Sequence, residues 1–190
     1  MFGDREMRRL LDELTEGVRH LEVPTTVDTL CTALCELMGE RRGRDCELRM
    51  TAFPPGKSVS GLWVELDEHD LILVEENTAA DHKLVILGHE IWHMAAGHRA
   101  LHVEGKAVAA RLLAADADLA PVIRQVAARS RAHGEADACH EEEAESFGLL
   151  LASRVRPWLA GRAEAGAAGL SGLAVRVGTS LGYSSGRVAL

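Results

Sequence analysis

Between residues 47 and 75 the apolar residues change period, and this change bounds what the chain can fold into. Upstream they recur at helical spacing. Met7, Leu10, Leu11, Leu14 and Val18 mark a helix over 4–20, and Val27, Leu30, Cys31, Leu34, Cys35 and Met38 a second over 27–42. Pro24 separates the two, and Thr26 is placed to cap the second. Three short stretches follow. Residues 47–53 (Glu-Leu-Arg-Met-Thr-Ala-Phe) alternate as a half-buried strand does, 61–66 form a second strand, and 71–75 a third. Pro54-Pro55-Gly56 and the run from Asp67 to Asp70 supply turns. Such short connections predict an antiparallel meander. Leu62, Val64 and Leu66 then share one face, and Trp63 and Glu65 the other.

Helical spacing returns over 79–97, with Asn77 or Thr78 as cap. The Ala-rich stretch 105–133 reads as one or two helices broken between Asp116 and Pro121. Gly134 to Asp137 is a polar connection, and a helix over 139–156 ends at Pro157. Helices, strands, then helices is an α+β order, a three-stranded meander packed on helices. The 190 residues suit one domain. Its parts are N-terminal helices (1–44), a core (45–157) and a tail (158–190) that is Gly-, Ala- and Ser-rich from Gly161.

Charge narrows the partners. With 21 basic against 29 acidic residues the net charge is −8, a poor match to a phosphate backbone, so no direct nucleic-acid contact is expected. The basic cluster Arg41, Arg42 and Arg44 is flanked by Glu40, Asp45 and Glu47, and reads as a solvated helix end. Cys31, Cys35, Cys46 and Cys139 form no Cys-x-x-Cys pair; Cys31 and Cys35 read as small core residues. The N-terminus lacks a signal pattern, and no apolar run approaches the ~18 residues that span a bilayer. The expectation is a cytoplasmic chain with no membrane contact.

The chemistry concentrates in His89-Glu90-Ile91-Trp92-His93. Positions i and i+4 share a helical face, so both imidazoles can reach one metal ion. Glu90 lies beside that face, where a carboxylate can take a proton from an attacking water. For a chain with 9 His and 19 Glu, roughly 0.04 such matches arise by chance. Trp92, inside the motif, should pack between helix and sheet. A catalytic zinc takes three protein ligands and keeps one position open. His98 follows Gly97 out of register with a His-x-x-Gly-x-x-His spacing, and reads instead as a helix end that complements the dipole.

Further on stands His140-Glu141-Glu142-Glu143-Ala144-Glu145-Ser146-Phe147-Gly148. Ala144, Gly148 and Ala152 make a small-residue stripe that permits close helix–helix approach. Glu141 lies one turn before Ala144, near that stripe, and a helix packed through it brings Glu141 to the metal. Glu145, one turn on, can accept from a ligand ring N–H. Cys139 reads as a free thiol or an additional ligand. Tyr183, His102, His133 and His140 are candidates for stabilising an oxyanion.

Together these residues resemble the ImmA/IrrE family of zincin-like metallopeptidases. That family shows His-Glu-x-x-His and, some tens of residues later, Glu-x-x-Ala-Asn-x-Phe-Ala before a Leu-Leu run. This chain has Glu141-x-x-Ala144-Glu145-x-Phe147-Gly148, then Leu149-Leu150-Leu151. Glu145 stands where the family has Asn, and Gly148 where it has Ala. The resemblance covers about residues 45–155. It implies a zincin-like fold, Zn2+ held by His89, His93 and Glu141, and Glu90 as general base. Members often carry or accompany a repressor-like DNA-binding domain, for which there is no room before residue 45. The resemblance thus implies a stand-alone peptidase-like partner of a transcriptional regulator, often labelled the toxin-like half of a toxin–antitoxin pair, and the leading reading is a zinc-dependent endopeptidase that cuts such a regulator. The third strand, Leu71 to Glu75, would offer an edge to an extended substrate. The alternative is a regulatory partner that keeps the zinc fold and docks without cleaving.

Overall fold

The run Leu71-Ile72-Leu73-Val74 is apolar at every position, as a strand buried on both faces must be. In the computed structural model, which describes residues 3–53, 59–98, 101–103, 106–114, 117–129 and 135–160, that strand is at the centre. The sheet comprises β1 (Asp45–Thr51), β2 (Gly61–Leu66), β3 (His69–Glu75) and β4 (Leu101–Val103), in the order β1-β3-β2-β4. β1 runs parallel to β3, β2 antiparallel to β3, and β4 parallel to β2.

This corrects the expected antiparallel meander. The hairpin joining β2 and β3 is tight, with Asp67 and Glu68 between the strands. The link from Thr51 to Gly61 is longer and lets β3 insert between β1 and β2. β3 is therefore paired along both sides and offers no edge for a substrate strand. β4, unmarked by any alternation in the sequence, adds beside Val64–Leu66. Asp70, expected in the turn, is a β3 residue and fully buried.

Alternation along β2 divides the core as the sequence predicts. Leu62, Val64, Leu66, Leu71 and Leu73 pack against α4 (Lys106–Leu113) and the Leu119–Ile123 stretch that opens α5 (Ala120–Arg129). Trp63, Ile72 and Val74 face the larger cluster formed by α1 (Asp4–Gly17), α2 (Val27–Arg42), α3 (Ala80–Ala96) and α6 (Glu135–Val155). The sheet thus has helices on both faces, and α7 (Pro157–Ala160) follows α6 after Arg156.

Helix ends follow local chemistry with two corrections. The Thr26 hydroxyl caps α2 by accepting from the Thr29 N–H at 3.1 Å. α3 begins one residue later than expected: Ala79 is its N-cap and has no capping side chain, in place of Asn77 or Thr78. α6 starts at Glu135, so part of the expected polar connection is helical and Cys139 lies inside the helix. Arg49 on β1 donates to the carbonyls of Leu112, Leu113 and Ala114, satisfying the C-terminal end of α4.

The basic cluster is also corrected. Arg42 donates from Nε to Asp70 at 2.7 Å and from Nη2 to Glu65 at 3.1 Å, and its guanidinium lies 5.0 Å from the Trp63 ring centroid. Arg44 donates to Glu65 and to the carbonyls of Leu66 and His69. The expected solvated helix end is a partly buried clasp between α2 and the β2–β3 hairpin. The tail from Gly161, with Tyr183, lies outside the described residues, as does His133.

Candidate metal centre

Two helices build the centre, and glycine sets their separation. A Cβ on Gly88 of α3 would stand 2.8 Å from the Gly148 Cα of α6. A Cβ on Gly148 would stand 2.5 Å from the Val85 carbonyl oxygen and 3.1 Å from the His89 nitrogen. The backbones touch at this crossing. The stripe read from the sequence is buried here: Ala144, Gly148 and Ala152 face inward. Trp92 stacks on Phe147 of α6 at 5.2 Å, within the core cluster that also holds Trp63, Ile72 and Val74 of the sheet.

Within two helical turns of the crossing, the donor atoms converge. His89 Nε2 lies 3.3 Å from Glu141 Oε2, and His93 Nε2 lies 3.4 Å from Glu141 Oε1. The two imidazole Nε2 atoms are 2.9 Å apart. One ligand atom from each residue falls within 4.8 Å of the others, so His89, His93 and Glu141 form a group within metal-binding distance. Two imidazole nitrogens and one carboxylate are a donor set that suits a borderline-soft divalent ion.

The electrostatics reflect crowding. Burial opposes charge on His89, but the hydrogen bond to Glu141 and the charges of Glu90, Glu141 and Glu145 outweigh it and raise its pKa. Burial and the neighbouring His89 hold His93 down at about 4, so its ring is neutral at physiological pH. The hydrogen bond from His89 keeps the Glu141 carboxyl below its usual range. A neutral His93 and an ionised Glu141 are the forms that ligate a cation, whereas His89, with its raised pKa, gives up a proton to do so.

Glu90 sits behind this group, 8% exposed. Its Oε2 accepts the Trp63 backbone N–H at 2.9 Å, which ties α3 to β2. The approach is close: a Cβ on Gly61 would lie 2.6 Å from Glu90 Oε1. Burial pushes the Glu90 carboxyl up to about 7, against the opposing effects of His89 and the Trp63 N–H. The Trp63 indole donates in turn to the buried Asp70 at 3.0 Å, so Arg42, Asp70, Trp63 and Glu90 form one connected chain of polar contacts.

Other expectations fall differently. Glu145 is exposed and acts on His89 through its charge. On its Nδ1 side His93 meets His98, with Nδ1 atoms 2.9 Å apart, and His98 stacks on His140 at 4.0 Å. Cys139 is exposed and stands outside the three-residue group. The sequence pattern did not mark Gly61, Gly88, the Trp63 N–H or the His98 contact. Of these, Gly88 had a signal, since a glycine inside a helical pattern often marks a close approach. A backbone donor has none. No family model, curated protein or solved structure matches the chain.

Proposed function

We propose that this chain is a zinc-dependent endopeptidase of the ImmA/IrrE type, acting on a regulatory protein such as a helix-turn-helix repressor. One observation carries the reading: His89, His93 and Glu141 converge on one point, with a buried carboxylate, Glu90, on the residue between the two imidazoles in the same helix. A structural zinc site is closed by four protein ligands and is commonly rich in Cys, unlike this three-residue group.

In this reading His89, His93 and Glu141 hold Zn2+. When bound, the ion supplies Lewis acidity toward the scissile carbonyl and lowers the pKa of the attacking water. The chain's own residues handle the proton. Glu90 Oε2 is engaged by the Trp63 N–H, which leaves Oε1 to take the proton from the water and return it to the leaving amine. The Gly61 and Trp63 backbone holds Glu90 in place, and Asp70 holds the Trp63 indole.

One feature favours a second reading, a regulatory partner that docks without cleaving. The Glu90 carboxylate is buried and bonded to β2, a posture that also serves a purely structural role. Co-production with a candidate repressor separates the two. Cleavage by wild type that Glu90→Gln abolishes supports the peptidase. An intact repressor, held in a stable complex by both forms, supports docking.

A further inference from the structure

His98 leaves α3 in a way that returns its side chain to the helix. Gly97 takes φ 67°, a left-handed conformation open to glycine, and ends the helix. The His98 N–H then donates to the His93 carbonyl at 3.0 Å, closing the last turn. The His98 ring folds back edge-on to His93, centroids 5.1 Å apart, with its Nδ1 2.9 Å from His93 Nδ1. Its other face stacks on His140 of α6, 20° from coplanar. His140 directly precedes Glu141, so His98 bridges the residue that offers Nε2 from α3 to the helix segment that offers the carboxylate.

The hydrogen-bond direction follows from ligand chemistry. His93 faces His89 and Glu141 with Nε2. An imidazole that ligates through Nε2 keeps that lone pair free and carries its proton on Nδ1. The 2.9 Å contact is then a donation from His93 Nδ1–H to the lone pair of His98 Nδ1. His98 must be the tautomer with its proton on Nε2. An acceptor at this place fixes both the tautomer and the rotation of a ligand ring.

We propose that His98 is a positioning residue of the metal centre, which accepts the His93 Nδ1 proton and so holds His93 Nε2 toward the ion. This role rests on the reading of His89, His93 and Glu141 as zinc ligands. It assigns His98 the part that the sequence pattern gave to Glu145, and makes His140 the stacking platform that keeps His98 in place.

The test is zinc affinity, measured on the full chain by competition with a chromogenic chelator. His98→Phe keeps a planar ring to stack on His140 but cannot accept a proton. Its affinity should fall 10–100-fold, the size typical of losing a partner behind a ligand, while the metal-free protein melts as wild type does. His98→Asn places an oxygen at the branch of Nδ1 and should stay within ~3-fold of wild type, because it can accept the same proton. Wild-type affinity in His98→Phe would overturn the proposal and leave the centre standing. Equal losses in Phe and Asn would overturn it too, since acceptance would not be what matters. A wild type that binds no zinc would overturn the centre and the proposal together. Nitrogen-15 imidazole correlations on zinc-loaded wild type decide independently of how the variants fold. They should show His93 coordinated through Nε2 with its proton on Nδ1, and His98 bare at Nδ1. A His98 protonated at Nδ1 would overturn the proposal.

Discussion

Replacing Glu90 by Gln should stabilise the metal-free protein, and only above acid pH. Glu90 is 8% exposed, and its carboxyl is raised from 4.5 to about 7. The folded state therefore holds the Glu90 proton more tightly than the unfolded state. Below pH 4.5 both states keep it, and ionisation costs nothing. As pH rises from 4.5 to 7 the unfolded chain releases its proton first, so stability falls. Above about 7 the full penalty is present. A shift from 4.5 to 7 at 1.36 kcal/mol per pKa unit gives about 3 kcal/mol. Gln has no charge to bury and nearly the same shape, and its amide oxygen can still accept the Trp63 N–H. The assay is guanidinium unfolding of both proteins in chelator, from pH 4 to 8. Glu90→Gln should gain on wild type by about 3 kcal/mol between the two ends of that range. A stability difference that stays flat with pH, or that grows toward acid, would refute the account of Glu90 as a desolvated carboxyl.

Two further perturbations probe the frame around the centre. Gly148→Ala puts a Cβ 2.5 Å from the Val85 carbonyl oxygen, so α3 and α6 must part. It should cost roughly 1–3 kcal/mol in thermal unfolding and weaken zinc binding with it; an unchanged melting temperature would contradict the backbone crossing. Asp70→Ala strands the Trp63 indole N–H and takes one carboxylate from Arg42 and Arg44, each about one-fifth exposed and left with Glu65. The loss should be ~3 kcal/mol by denaturant titration, the low end for a broken buried pair because the guanidiniums keep some water; a loss under ~1 kcal/mol would show the clasp to be no better than a surface ion pair.

What the sequence made legible was local. His89 and His93 share a helix face because i and i+4 always do, and Ala144, Gly148 and Ala152 mark a contact face because small side chains in a stripe have little other use. β2 and its two faces followed from period 2. Strand order did not follow, because pairing is non-local. The short connections argued for a meander, while the unbroken apolar run in β3 argued for a central strand and was the better guide. Asp70 read as a turn residue, since its partners Arg42 and Trp63 come from other elements. The Glu90 cradle is a backbone N–H, which any residue at 63 but proline would supply. His98 stood out of register with the His-x-x-Gly-x-x-His spacing, and it is the left-handed Gly97 before it that turns its ring back to His93.

If His89, His93 and Glu141 together hold zinc, chelator competition on three proteins will read it out. Wild type should bind about one zinc per chain. Glu141→Gln removes a direct ligand and should lose more than the 10–100-fold that follows loss of a partner behind one. Glu142→Gln, exposed on the same helix, should bind as wild type does. Wild type that takes up no zinc after reconstitution, or Glu141→Gln that holds it as tightly as wild type, would contradict the account.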